Sequence, residues 1–300
     1  MKHLIDHLAP YHTISIIGMG KNVGKTTTLN HLIREFEKQG ARLALTSIGR
    51  DGEEIDVVTQ TRKPRIFVPV GTIVITTEKL FTRCDITAEI LRVTDIGTPL
   101  GRVVVIRACS DGFVQLGGPS IVAQMADLLL ELQAFGVDKT IIDGAISRKS
   151  LASPTLTQAT VLCSGAGVAS SMNEVIDQTR HAVNLFMLPS ANPDDERSIY
   201  LPGAVSDAKM RELVLSGKDF TGRQIVVDDA SKLFITAATY EKLLIKQATL
   251  AVRTPINLVA VTINPTSPRG IAFDSQEFLA NMQAALPVPV YDVVGGNHCV

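Results

Sequence analysis

The alternation of apolar and polar positions is sharpest between Thr13 and Phe36, TISIIGMGKNVGKTTTLNHLIREF. Ile14-Ser15-Ile16-Ile17 is an apolar, β-branched run that predicts a buried strand. Leu29, Leu32, Ile33 and Phe36 then recur at i, i+3, i+4 and i+7. That is one stripe of a helix starting at Lys25-Thr26-Thr27, with Gly40 as its stop. A glycine-bearing loop, Gly18 to Gly24, joins the two elements.

Residues 43–48 read as a second strand. A strand–helix–strand unit of this kind favours a parallel sheet with a right-handed crossover. From residue 64 to 108 the rhythm breaks. Residues 65–69 and 72–76 read as one strand pair around Val70-Gly71, and 92–96 and 102–108 as another around 97–101. A short helix is expected near 87–91 between them. The rhythm returns with a helix from Pro119 through Leu128, Leu129, Leu132 and Phe135 to Gly136, followed by a buried strand over 140–144. Residues 161–164 and 184–188 bracket a helix over 171–182, and 190–197, SANPDDER, is the most linker-like stretch. Further on, 206–215 reads as helix, 224–227 as extended and 240–250 as helix. The end of the chain reads as strand 257–263, helix 275–286 and strand 288–293.

The pattern predicts an α/β fold: a mostly parallel sheet with helices on both faces and antiparallel hairpin excursions over 64–108. One domain spans 1–300, with a possible inserted subdomain over 190–250.

Composition narrows the class. The 300 residues are 45% apolar, and the mean hydropathy is +0.21, as in a globular chain. Lys+Arg 29 against Asp+Glu 30 leaves a net charge of −1, so no global basic field recruits nucleic acid or an anionic membrane. Cys84, Cys109, Cys163 and Cys299 form no CxxC pair, which fits a reduced, cytosolic chain. The first ten residues hold His3, Asp6 and His7 and lack a signal-peptide core, and no apolar run is long enough to span a bilayer. The expectation is a cytoplasmic protein.

Strand, glycine loop, Lys-Thr and helix together suit a phosphate. Small residues let backbone N–H groups curl around an anion, the helix N-terminus adds partial positive charge, and a lysine reaches the terminal phosphates. The candidates are Gly20, Lys21, Asn22, Val23, Gly24, Lys25, Thr26 and Thr27. The Thr26 hydroxyl can ligate Mg²⁺ held by the phosphates, with Asp143 at its strand tip as the second-motif acid. Arg148 and Lys149 share the loop after Asp143 and could meet charge developing on the γ-phosphate. The catalytic candidates are Lys25, Asp143 and Arg148. Gly117-Gly118 offers a second anion-binding turn, though a plain loop is the simpler reading. His298 and Cys299 are too few ligands for a metal site.

The usual spacing places four residues between the first glycine and Gly24-Lys25-Thr26. Gly18 leaves five and Gly20 three, and Met19 stands where that glycine is expected. The loop resembles the variant P-loops of the SIMIBI class, which includes the MinD-like ATPases and dethiobiotin synthetase. Many of those carry an early second lysine; Lys21 lies one position later. The resemblance also implies Asp51, just past the second strand, as a switch-region metal acid. Asn264, after a late strand in NPTSPRG, becomes an adenine-edge contact by similarity to dethiobiotin synthetase.

Four stretches are similar to the P-loop ATPase subunit of the lysine 5,6-aminomutase (ornithine aminomutase) reactivase family: IGMGKNVGKTTTLNHLI, TSIGRDGEEIDVVT, RACSDGFVQLGGPSI and DKTIIDGAISRKSLASP. The resemblance is good over about the first two thirds of the chain and looser beyond. It implies an ATP- and Mg²⁺-dependent ATPase that restores an adenosylcobalamin-dependent aminomutase holding damaged cobalamin, together with a MutS-like subunit. It leaves a homodimer open. Two other readings stand beside it: a dethiobiotin-synthetase-like phosphotransferase or ligase acting on a small acceptor, and a non-catalytic nucleotide switch.

Overall fold

The computed structural model describes residues 3–48, 65–145, 156–192, 194–216 and 219–294. The chain opens with a short helix, α1 (Leu4–Leu8), then β1 (Thr13–Gly18), α2 (Lys25–Lys38) and β2 (Leu43–Ser47). Next come β3 (Ile66–Val68), β4 (Ile73–Thr77), α3 (Glu78–Phe81), β5 (Ala88–Thr98), β6 (Gly101–Ala108) and β7 (Gly112–Val114). α4 (Val122–Leu132) leads to β8 (Lys139–Ala145), β9 (Ala159–Gly165) and α5 (Met172–Phe186). β10 (Ile199–Leu201), β11 (Val205–Ser206), α6 (Asp207–Leu215), β12 (Gln224–Val227), β13 (Leu233–Phe234), α7 (Ala237–Ile245) and β14 (Thr249–Val252) follow. The last elements are β15 (Leu258–Asn264), α8 (Ser275–Ala285) and β16 (Val290–Asp292).

Nine strands form one sheet in the order β16-β15-β9-β1-β8-β2-β4-β6-β5. Its pairings are parallel except those of β6, which runs against both β4 and β5. β1 is central, between β8 and β9. After β1 the chain fills the β8 side with β2 and β4, and later the other side with β9, β15 and β16. β1 therefore stands at the switch in strand order, where open α/β sheets place a ligand crevice outside the strands' carboxyl ends. The expected architecture is present.

Alternation along β1 splits the core. Ile14 and Ile16 pack with Leu29, Leu32, Ile33 and Phe36 of α2, on the face that also carries Leu4 and Leu8 of α1. Ile17 faces the other way, into the cluster of Val175 and Phe186 of α5 and Phe278 of α8. On that second face Leu128 and Leu132 of α4 cover Ala44, Ile73 and Ile75. α2 closes where expected: the Gly40 N–H donates to Glu37 O at 2.8 Å and the Ala41 N–H to Phe36 O at 3.0 Å, the paired bonds of a Schellman motif.

Between residues 64 and 108 the pairing departs from the expectation. β5 and β6 form an antiparallel hairpin as anticipated. Residues 65–69 and 72–76 do not pair with each other. β3 pairs antiparallel with β7, and β4 enters the main sheet parallel to β2. The residues of β4 are buried throughout, and such a strand is stabilised by covering both of its faces, which a surface hairpin cannot do. The short helix expected near 87–91 is strand instead, with Ile90 opposite Ile106, and the helical turn lies earlier, at α3. The Glu78 carboxylate of α3 accepts from the Arg102 N–H at 2.9 Å and from Arg102 Nε at 3.0 Å, docking the turn on β6. β5 is irregular, with register shifts between Ile90 and Arg92 and between Val93 and Gly97.

Two later boundaries also move. The extended run expected at 184–188 is the last turn of α5, because Val183 and Phe186 continue the buried stripe of Val175 and Thr179. The helix expected over 240–250 starts earlier, where Thr236 Oγ1 accepts from the Thr239 N–H, and ends at Ile245. Residues from Thr249 pair as β14 with β12. Pro119 precedes α4 rather than starting it.

Within 190–250, β10, β12 and β14 make a small parallel sheet, and β11 pairs with β13. Met210 and Val214 of α6 and Leu243 of α7 belong to the same buried cluster as α5 and α8. Among the described residues no helix is long and apolar enough to cross a membrane.

Phe36 is fully buried between α2 and the sheet. Phe36→Ala should cost about 3–5 kcal/mol of folding stability, read as a fall in the urea midpoint with an unchanged denaturant slope. A loss below about 1 kcal/mol would mean that this helix face does not hold the core.

Candidate functional site

β1 ends at Gly18, and the loop to α2 keeps contact with the sheet. The Met19 N–H donates to Cys163 O at 2.8 Å, and Val23 is buried. Two residues take left-handed backbone: Asn22 (φ 59) and Gly24 (φ 87). Gly24 occupies the N-cap position of α2, and no side chain caps the helix there. The first-turn N–H groups are thus presented by a residue without a Cβ, which is how a helix start receives an anion. Lys25 Nζ donates to Gly20 O at 3.0 Å, folding the lysine back over the loop it belongs to. Thr26 and Thr27, on the first turn, are partly exposed, and Lys21 is exposed.

Neighbouring strand ends brace the loop. Asn264 Nδ2 donates to Asn22 O at 3.1 Å, while its Oδ1 accepts from the Thr266 N–H and Oγ1, each at 3.1 Å. Both ends of the amide are therefore engaged by the protein, and the residue expected at an adenine edge also braces the loop. Gly167, after β9, packs closely from the other side: an added Cβ would lie 2.6 Å from Lys21 O. Beneath the helix start, Thr28 and Thr262 share a hydroxyl hydrogen bond of 2.9 Å, and Thr262 Oγ1 donates to Cys163 Sγ at 3.1 Å.

Asp143 lies on β8, in register with Ile16 of β1 and Ser47 of β2. It is 6% exposed, so a carboxylate is held in the sheet beside the loop strand. Burial pushes the Cys163 thiol up from its ordinary range, against the lowering effect of its hydrogen bonds with Thr262 and Thr28. Thr26 hydroxyl and Asp143 carboxylate are hard oxygen donors, which suit Mg²⁺ sharing phosphate oxygens.

Asp51, Arg148, Lys149, His298 and Cys299 lie outside the described residues. Gly117-Gly118 is packed against the sheet, with the Gly117 N–H donating to Ile75 O at 3.3 Å. A Cβ on Gly118 would meet Ser47 O at 2.4 Å, and α4 begins only after Ile121. Nothing in sequence spacing marks Gly167 and Thr262, which strand order brings to the loop and the start of α2, or Ser47, which it places beside Asp143.

No protein-family model matches the chain, and no curated protein matches it. Among solved structures, the chain is similar to the signal recognition particle receptor FtsY from Elizabethkingia anophelis, with TM-score 0.30 and 12% identity over 90% of this chain and 65% of that one. The same receptor in complex with GDP matches with TM-score 0.23 and 13% identity over 90% and 63%. This chain spans less than two thirds of either receptor chain.

Asn264→Ala removes the side-chain bond to the loop at Asn22 O. A neutral hydrogen bond contributes about 1 kcal/mol, so the amides of Lys21 to Gly24 should exchange with solvent about fivefold faster while global stability changes less. Native-state hydrogen exchange reads this directly. Unaltered protection would show that Asn264 does not order the loop.

Proposed function

We propose that this protein is a nucleotide-binding P-loop ATPase that binds ATP with Mg²⁺ and hydrolyses it slowly. The observation that carries the reading is the start of α2. Left-handed Gly24 presents an uncapped helix N-terminus at the carboxyl end of the central strand, with Lys25 folded across the loop. With a nucleotide bound, Lys25 would exchange Gly20 O for the terminal phosphates, and the N–H groups from Gly20 to Thr27 would face the phosphate chain. Thr26 and Asp143 hold the cation, with Asp51 as a further acid. The cation would supply charge neutralisation for phosphoryl transfer. Arg148 is assigned to the charge that develops there.

The finer reading rests on the four sequence stretches similar to the reactivase ATPase subunit. Hydrolysis is coupled to restoring an adenosylcobalamin-dependent lysine or ornithine aminomutase, in an assembly with a MutS-like subunit. An ATPase that ran freely would dissipate nucleotide without work on its partner, so part of the catalytic machinery should be completed only in the assembly. Such completion can be worth on the order of a thousand-fold.

Lys25→Ala should weaken ATP binding on the order of 100-fold, since a hydrogen bond from a charged donor is worth about 1.5–3 kcal/mol. Thermal unfolding of the nucleotide-free protein should stay close to wild type. Isothermal titration decides it, and unchanged affinity would remove the phosphate-site assignment.

For the coupled activity, phosphate release is measured from the protein alone and with an aminomutase carrying inactivated cobalamin plus the MutS-like subunit. The mixture should turn over far faster than the isolated protein. If instead a small metabolite stimulates turnover and becomes phosphorylated while the mutase has no effect, the phosphotransferase reading replaces this one.

A further inference from the structure

Buried hydroxyls are frequent at this end of the sheet, and most have partners. Ser15 Oγ pairs with Thr160 at 2.9 Å, Thr28 with Thr262 at 2.9 Å and Ser164 with Thr179 at 2.6 Å, and Thr76 Oγ1 donates to Gln115 O at 2.8 Å. Ser47 is different. It is 0% exposed, and its Oγ has no hydrogen-bond partner. Ser47 and Asp143 are register partners on the adjacent parallel strands β2 and β8. Their Cβ atoms therefore stand about 5 Å apart on one face of the sheet. It is the face that α2 covers, because Leu43 and Leu45, in the same alternation as Ser47, pack with Leu29 and Leu32.

On this face the Thr76 bond holds Gln115 across the end of β4, while Gly118 packs against Ser47 O from the side of Thr46 and Met125. A hydroxyl shut away without a partner is costly, whereas a loaded site would supply one. Among the described residues, the buried hydroxyls of Thr77, Ser198 and Ser231 also lack partners. They lie off this face: Thr77 alternates with Ile75 toward α4, and the two serines belong to the 190–250 region.

We infer that Ser47 is a positioning residue of the magnesium site: its Oγ accepts a hydrogen bond from a water bound to the cation that Asp143 and Thr26 hold. The inference rests on the nucleotide–magnesium reading above. Mg²⁺ dehydrates reluctantly and keeps several waters, so a site for it needs acceptors beyond its direct ligands. Groups of this kind are typically worth about 10- to 100-fold in metal affinity.

Mg²⁺ is titrated into wild type, Ser47→Ala and Asp143→Asn, each holding a fluorescent non-hydrolysable ATP analogue. Nucleotide affinity is also measured in chelator, and thermal unfolding is followed on the nucleotide-free proteins. Ser47→Ala should lower Mg²⁺ affinity on the order of tenfold, less than Asp143→Asn, and leave nucleotide affinity in chelator unchanged. It should unfold at the wild-type temperature or above, since only an unpartnered hydroxyl is lost. Unchanged Mg²⁺ affinity, equal losses with and without Mg²⁺, or a lower unfolding temperature would each overturn the role of Ser47 while leaving the nucleotide site standing. A wild-type protein that binds no nucleotide would overturn the proposed function, and this inference with it.

Discussion

Everything at the candidate site depends on β1 being buried on both faces. A strand that packs α2 on one side and α5 and α8 on the other has no freedom to slide, since a shift of one residue would turn each buried side chain to the wrong layer. The carboxyl end of β1 is thereby a fixed point, and α2 must start within one loop of it. The loop can then leave the first turn of α2 uncapped. An uncapped helix end inside a protein is unfavourable unless something polar arrives to meet it. The cost is tolerated here because the surrounding packing over-determines the geometry.

The bracing follows the same logic. Asn264 of β15 and Gly167, just after β9, belong to strands added on the side of β1 away from Asp143. One flank of the crevice holds the loop's shape and the other supplies carboxylate and hydroxyl. The chain draws the two flanks from widely separated parts of its sequence, so the full bracing of the loop needs β15 in the sheet. A change on the bracing flank should act on loop order, and one on the β8 and β2 flank on charge.

Local features were legible in the sequence because their physics is local. The stripe from Leu29 to Phe36, the Gly40 stop and the strand 140–144 depend on side-chain period and backbone preference, which a short window contains. The α/β class was readable for the same reason. Partner choice was not. β4 looked like half of a hairpin because Val70-Gly71 is a good turn, yet burial of all its residues is gained only inside the main sheet. Residues 184–188 looked extended because an apolar run does not distinguish a strand from the last turn of a buried helix. At the candidate site, the placement of Lys25 and Thr26 on the first turn of a helix after a glycine loop, and of Asp143 near the end of its strand, was legible from type and spacing. The placement of Ser47 beside Asp143 was not, since it follows from β8 inserting between β1 and β2.

The irregular outer strand has a consequence for assembly. A wide sheet has two rims, and a flat exposed rim invites a second chain to continue the ladder. β5 is long, but its two register shifts interrupt the even row of donors and acceptors that such a continuation needs. At the opposite rim β16 offers only three residues. Both rims are poor templates, which disfavours runaway strand addition while the chain is folding.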